Sequence, residues 1–181
     1  MGPWLAHYDA GVPAHIDYRR LTVTEALQRS AAEHGSRTAL VFAGSRTRYA
    51  GLLADVERLA STLADLGLRP GDRLALHLPN LPQTAVAYYA ALALGAQVVM
   101  SNPLYTDDEI VQLWNDAGVR VAVVADWIWA GRIPKLRDRL PVQHWIVASV
   151  PDALPAWKRW AARRALARQS PPRTADLSGV P

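Results

Sequence analysis

Four times between Thr22 and Val124, a stretch of helical periodicity runs into a glycine and then into a short apolar run. The first is Thr22–His34, closed by Gly35 and followed by Thr38–Phe42; the second is Tyr49–Leu66, closed by Gly67 and followed by Arg73–Leu78. The third is Leu81–Leu94, closed by Gly95 and followed by Ala96–Met100; the fourth is Thr106–Ala117, closed by Gly118 and followed by Val119–Val124. Each glycine can supply the left-handed residue that ends a helix at little steric cost. Alternating helices and apolar runs predict an α/β fold, a mainly parallel sheet covered by helices. The run from Val119 to Val124 is apolar except for Arg120, as a strand buried on both faces requires.

The helix starts carry matching signals. Thr22 with Glu25, and Thr106 with Glu109, have the spacing of a capping box, in which hydroxyl and carboxylate satisfy free helix N–H groups. Asn80 is the expected N-cap of the third helix, with Pro82 in its first turn. A hairpin is expected to join Thr38–Ala43 to Arg46–Tyr49 through Gly44 and Ser45. Val142–Val147 reads as a further strand and Leu154–Gln169 as a basic helix starting just before Pro155. Residues 170–181 are rich in Pro and Ser without periodicity and read as a tail or linker, which leaves residues 1–169 as one partial α/β domain.

The net charge of +4 is unevenly spread. Residues 1–153 carry 14 Lys/Arg against 15 Asp/Glu, whereas residues 154–169 carry five cations and no acid. A nucleic-acid domain assembles a basic face from several elements, so no nucleic-acid partner is expected. Without cysteine there is no disulfide framework, thiolate metal site or thiol nucleophile, which fits a cytoplasmic protein. The first residues lack the basic and apolar regions of a secretory signal. The longest apolar stretch, Ala85–Met100, is broken by Gly95 and Gln97 and falls short of a membrane span.

The common site patterns are missing: no G-x-G-x-x-G, no Gly before a Lys, no H-x-x-x-H pair among the five histidines, and no G-x-S-x-G. Against eighteen Arg there are only two lysines, Lys135 and Lys158, both read as solvated surface charges. Asp107, Asp108 and Glu109 could hold a metal, but their place in a helix's first turn is accounted for by the helix dipole, and that reading is preferred. Trp127 and Trp129 could line a ligand pocket; packing in the core or an interface is preferred.

Three segments carry a resemblance to a known family. Thr47–Leu63 resembles the first core motif of the adenylate-forming enzymes, although Gly51 stands where an acidic residue is common. Gly71-Asp72-Arg73 followed by Leu78-Pro79-Asn80 is similar to a second family element, and Leu92–Pro103 resembles another core motif. The opening, with Pro3-Trp4-Leu5, Tyr8, Gly11-Val12-Pro13 and Ile16-Asp17-Tyr18, and the segment Asn102–Thr106 resemble bacterial long-chain fatty-acyl-CoA synthetases.

The resemblance implies the N-terminal part of such an enzyme's large domain, about a third of the whole. It further implies a complete enzyme that uses ATP, Mg and CoA to turn a fatty acid into an acyl-adenylate and then a thioester. The family's Ser/Thr/Gly-rich phosphate loop is not found among these residues, so no catalytic, nucleotide-binding or metal residue is assigned, and activity from this chain alone is not expected. Asn102 and Tyr105 are the candidate pocket-wall residues, because ligands of open α/β sheets sit where strands end and helices begin. The chain is read as an N-terminal fragment, a natural truncation or a split gene product, in the last case with a separately encoded remainder of the enzyme as partner. The alternative is a non-catalytic binding or scaffold module of the same fold. The apolar stripe of Leu154, Trp157, Ala161 and Ala165, flanked by cations, could give weak peripheral membrane contact, but a surface helix docked on its own domain by Trp157 is preferred.

Overall fold

The structure, a computed structural model, describes residues 2–155 together with Lys158, Trp160 and Arg164. In chain order the elements are α1 (Val23–His34), β1 (Thr38–Phe42), β2 (Ser45–Arg48), α2 (Tyr49–Asp65), β3 (Arg73–His77), α3 (Pro82–Ala93), β4 (Gln97–Met100), α4 (Asp107–Ala117), β5 (Val119–Ala125), α5 (Asp126–Gly131), α6 (Ile133–Leu136) and β6 (His144–Ala148). β1 and β2 form a separate antiparallel hairpin; the main sheet is parallel throughout, in the order β4-β3-β5-β6.

Both capping boxes form. Thr22 Oγ1 accepts from the Glu25 amide at 3.1 Å while the Thr22 amide donates to Glu25 Oε2 at 2.7 Å, and Thr106 with Glu109 repeats the arrangement at the head of α4. These bonds to the ionised form hold the Glu25 and Glu109 carboxyls below the usual carboxylate range. Gly118 ends α4 in the left-handed region at φ 64°, its amide donating to the Asn115 carbonyl at 3.1 Å.

Several boundaries differ from expectation for local reasons. Gly35 is right-handed at φ −51°, so α1 ends without the left-handed turn. The hairpin turns at Ala43-Gly44, one residue earlier than expected, with Phe42 paired to Ser45. Both turn residues have positive φ, 49° and 91°, because a tight hairpin must follow the right-handed twist of its strands. Leu81, not Asn80, caps α3; Thr84 supplies the hydroxyl there, donating to the Pro79 carbonyl at 2.7 Å and accepting from the Leu81 amide at 3.4 Å. The last strand begins at His144 rather than Val142, and the segment between β5 and β6 folds into α5 and α6, which periodicity did not signal.

α2 buries Leu52, Val56, Ala60 and Leu63, a stripe at helical spacing, and α3 meets it with the small Ala87, Ala90 and Ala91. Val123, Ile146 and Ala148 share a cleft with Leu59, Thr62, Val86 and Ala87, so these strand residues face α2 and α3. Trp145, on the opposite face of β6, meets Trp114 of α4 and Trp129 of α5, with ring centroids 5.9 and 5.6 Å away. Helices therefore cover both faces, and β5 is buried at every position but Arg120. Arg120 Nη1 donates to Asp72 Oδ2 at 2.9 Å, tying the start of β5 to the turn before β3.

Of the basic helix expected over residues 154–169, Lys158, Trp160 and Arg164 are helical, whereas Leu154 is extended and Pro155 is not helical, so the helix does not start just before Pro155; the other residues of that segment and residues 170–181 lie outside the described residues. Lys158 is half-buried, and its Nζ donates to the Ala43 carbonyl at 3.3 Å in a solvent-exposed bond. Lys135 is exposed on α6. The Arg164 guanidinium lies 5.2 Å from the ring centroid of Trp160, which is itself exposed.

Candidate functional site

The chain leaves β3 for β4 on one side, returns over β3 to β5, and continues outward to β6. β3 and β5 are thus neighbours whose connections diverge, the point at which open α/β sheets form a crevice beyond their strand ends. A cleft of about 690 Å³ opens there, lined by residues 78–80 after β3, residues 100–105 at the end of β4, and Trp127 after β5. Both expected residues, Asn102 and Tyr105, line it. A second, mainly apolar cleft of about 480 Å³ lies between the hairpin and α3; Asn80 and Met100 border both.

Loop 101–107 is fixed from below and from one side. Ser101 is buried, and its hydroxyl accepts from Trp114 Nε1 at 2.7 Å. Its carbonyl lies 3.3 Å from Nδ1 of fully buried His77, which must carry the proton, since a carbonyl can only accept. Burial lowers the His77 pKa from its ordinary value against the opposing effect of the Ser101 carbonyl, and the Arg132 charge lowers it further. The imidazole is neutral at pH 7 and stands edge-on to Trp114, with 5.8 Å between ring centroids. Asn102 makes a local turn, its Oδ1 accepting from the Leu104 amide at 2.9 Å and its carbonyl from the Tyr105 amide at 3.0 Å. Its carboxamide oxygen is therefore engaged in shaping the loop.

Arg132, at the junction of α5 and α6, holds the far half of the loop. Its Nε and Nη2 donate to Asp107 Oδ1 at 2.8 and 2.6 Å, Nη2 also to the Tyr105 carbonyl at 2.6 Å, and Nη1 to the Pro103 carbonyl at 3.4 Å. The acidic trio is consumed by this architecture: Asp107 by Arg132, Asp108 by Arg139 at 2.8 Å, and Glu109 by the capping box. The side chains turned outward are apolar. Leu104 is 86% exposed, Met100 55%, Trp127 49% and Tyr105 36%. The tryptophan pair divides: Trp129 packs against the core, whereas Trp127 is half exposed and lines the cleft.

The sequence carried no sign of Arg132, which reaches 25 to 29 residues back along the chain. His77 left a faint one, as a lone polar residue inside the apolar run Leu74–Leu78.

A protein-family model described as AMP-binding enzyme matches residues 27–178. The chain is 37% identical over 153 residues to a long-chain-fatty-acid–CoA ligase of Bacillus subtilis, covering 84% of this chain and 27% of that protein. It is 35% identical over 153 residues to the enzyme of the same name from Escherichia coli O6:H1, covering 83% of this chain and 27% of the relative. The chain thus spans about a quarter of the length of these relatives. The crystal structure of a long-chain-fatty-acid-CoA ligase from Archaeoglobus fulgidus superposes with a TM-score of 0.68 at 20% identity, over 78% of this chain and 30% of that one, which shows the shared fold. With a family match over most of its length and relatives above 30% identity, this chain is a member of the AMP-binding enzyme family and is similar to long-chain-fatty-acid–CoA ligases.

Proposed function

We propose that these residues form the N-terminal part of a long-chain fatty-acyl-CoA ligase and furnish an apolar wall of its fatty-acid site, without catalysing the reaction themselves. The observation that supports this most is the 37% identity held over 153 residues to a ligase of which the chain spans 27%. The complete enzyme would join a fatty acid to ATP as an acyl-adenylate and then transfer the acyl group to CoA with magnesium present. We infer that the nucleotide and the metal are held by other residues of such an enzyme. No group of three or more His, Asp or Glu among them could hold a metal ion. The acidic trio is paired, Lys135 stands apart on α6, and Lys158 is bound to the hairpin. On this reading those functions belong to the portion of such an enzyme that these residues do not span. Asn102 would shape the wall and Tyr105, with Leu104 and Trp127, would present it.

ATP–pyrophosphate exchange with palmitate tests the proposal. The 181 residues alone should show none, and joining them to the portion of the Bacillus relative that lies beyond the match should restore it. Exchange by these residues alone, clearly above a heat-killed control, overturns the inactivity. Failure of the joined protein, if folded, overturns the assignment.

The second reading is a non-catalytic binding or scaffold module. It is favoured by the continuous core running from Leu27 to Ala148 across a four-stranded sheet. A monodisperse monomer that unfolds cooperatively and binds no apolar dye would support it; association or dye binding at the exposed Met100, Leu104 and Trp127 would support the first. On either reading we place the protein in the cytoplasm, with weak contact to anionic membranes through the basic segment. No helix among the described residues is long and apolar enough to cross a membrane. Equal, negligible sedimentation with anionic and neutral vesicles would end the membrane part of the proposal.

A further inference from the structure

We propose that Arg132 is a positioning residue: it holds Pro103–Asp107 as a fixed wall, so that Leu104 and Tyr105 are presented ready-made to an acyl ligand. The ligand class rests on the function proposed above; the clamp rests on geometry alone. One guanidinium gathers two main-chain carbonyls, those of Pro103 and Tyr105, and the Asp107 carboxylate, all from a segment of five residues. Its side chain is only 23% exposed; the bonds to Asp107 and the Pro103 carbonyl are partly buried, and the bond to the Tyr105 carbonyl is exposed. The planar fork of arginine can serve several acceptors in one plane at once, which an ammonium cannot.

The other end of the loop is held independently, by His77 and Trp114 on Ser101. Between these anchors lies Leu104, 86% exposed. Left unclamped, such a loop would turn its leucine and tyrosine inward to escape water. Converging polar bonds that keep large apolar side chains facing outward are the arrangement expected of a pre-organised binding wall, whose ordering cost is met before the ligand arrives. Arg132 lies outside the cleft lining, so its effect on a ligand would pass through the loop.

The test uses the whole chain with R132Q, R132K and the lining control W127A, read by amide hydrogen exchange and by binding of the fluorescent fatty acid cis-parinaric acid. The amides of Leu104 and Tyr105 are hydrogen-bonded to Asn102 within the loop and that of Thr106 to Glu109 at the head of α4, so they report on the loop and its junction. R132Q should speed their exchange by about tenfold or more, while amides of β3 and β5 keep wild-type rates. R132K, which retains charge toward Asp107 but loses the fork, should fall between. In parinaric acid titrations R132Q should weaken binding about tenfold, with R132K again intermediate and W127A also weakened.

Unchanged loop exchange in R132Q overturns the clamp, whatever the fatty acid does. Faster exchange with undiminished fatty-acid binding overturns positioning and leaves Arg132 a structural residue. Faster exchange in a chain whose wild type binds no parinaric acid upholds the clamp and overturns the acyl assignment of the cleft. If R132Q unfolds, R132K carries the same comparison.

Discussion

Replacing Ser101 by alanine removes one oxygen from the base of the cleft loop, and the consequence follows from what that oxygen holds. The hydroxyl accepts from Trp114 Nε1 at 2.7 Å, and the indole is fully buried. In Ser101→Ala the N–H keeps its desolvation cost and loses its acceptor, which destabilises by about 1–3 kcal/mol. The backbone carbonyl that pairs with His77 is untouched, so the substitution isolates the hydroxyl. With a urea m-value of about 2 kcal/mol/M, a loss near 2 kcal/mol lowers the unfolding midpoint by about 1 M at constant m. Trp114→Phe deletes the donor but also leaves a void, so that variant alone would be ambiguous. The double variant resolves it: with neither partner present there is no orphaned donor, and the cycle should show a coupling of about 1 kcal/mol or more. A Ser101→Ala midpoint within about 0.2 M of wild type, or strict additivity in the cycle, would refute the argument.

Gly44→Ala should cost about 1 kcal/mol because Gly44 sits at φ 91°, whereas Ala43→Gly should recover up to about 1 kcal/mol by relieving the φ of 49°; urea midpoints check both. Thr106→Ala should lose about 1 kcal/mol of stability through the broken cap of α4. The Glu109 carboxylate, its pKa lowered by bonds from Thr106, adds stability above its unfolded value of 4.5 that is lost as pH falls through the lower folded one, and Thr106→Ala should flatten that acid limb. His77 has the opposite chemistry: the folded state resists the proton that the unfolded chain takes up near pH 6.5, so stability should fall as pH drops below that value toward the folded pKa. His77→Phe should remove this part of the slope in urea midpoints measured between pH 7.5 and 5.5; an unchanged slope would contradict the burial argument.

Local chemistry was legible where it is local. The spacing of Thr22 with Glu25 and of Thr106 with Glu109 sets two helix starts through bonds that span three residues, and the glycines at 67, 95 and 118 set helix ends through their own dihedral freedom. The apolar runs marked the strands because a parallel sheet must bury both faces. Asn102 and Tyr105 were readable as a strand-to-helix loop, and the cleft they line follows from that position.

The sequence left unstated which strands are neighbours, and the site depends on that. Only the order β4-β3-β5-β6 places the ends of β3, β4 and β5 around one crevice and brings Trp127 to face a loop more than twenty residues earlier. The hairpin turn fell at Ala43-Gly44 because strand twist overrode the residue preference that favoured Gly44-Ser45. Arg132 looked like any of eighteen arginines until α5 and α6 carried it against Asp107 and the Tyr105 carbonyl. His77 became a buried, neutral anchor for Ser101 only in the packed sheet, with Trp114 of α4 set edge-on against it. Capping and periodicity act within a few residues and are written into the chain directly; clamps, clefts and pKa shifts arise between distant segments, and only the packed structure decides which of those segments meet.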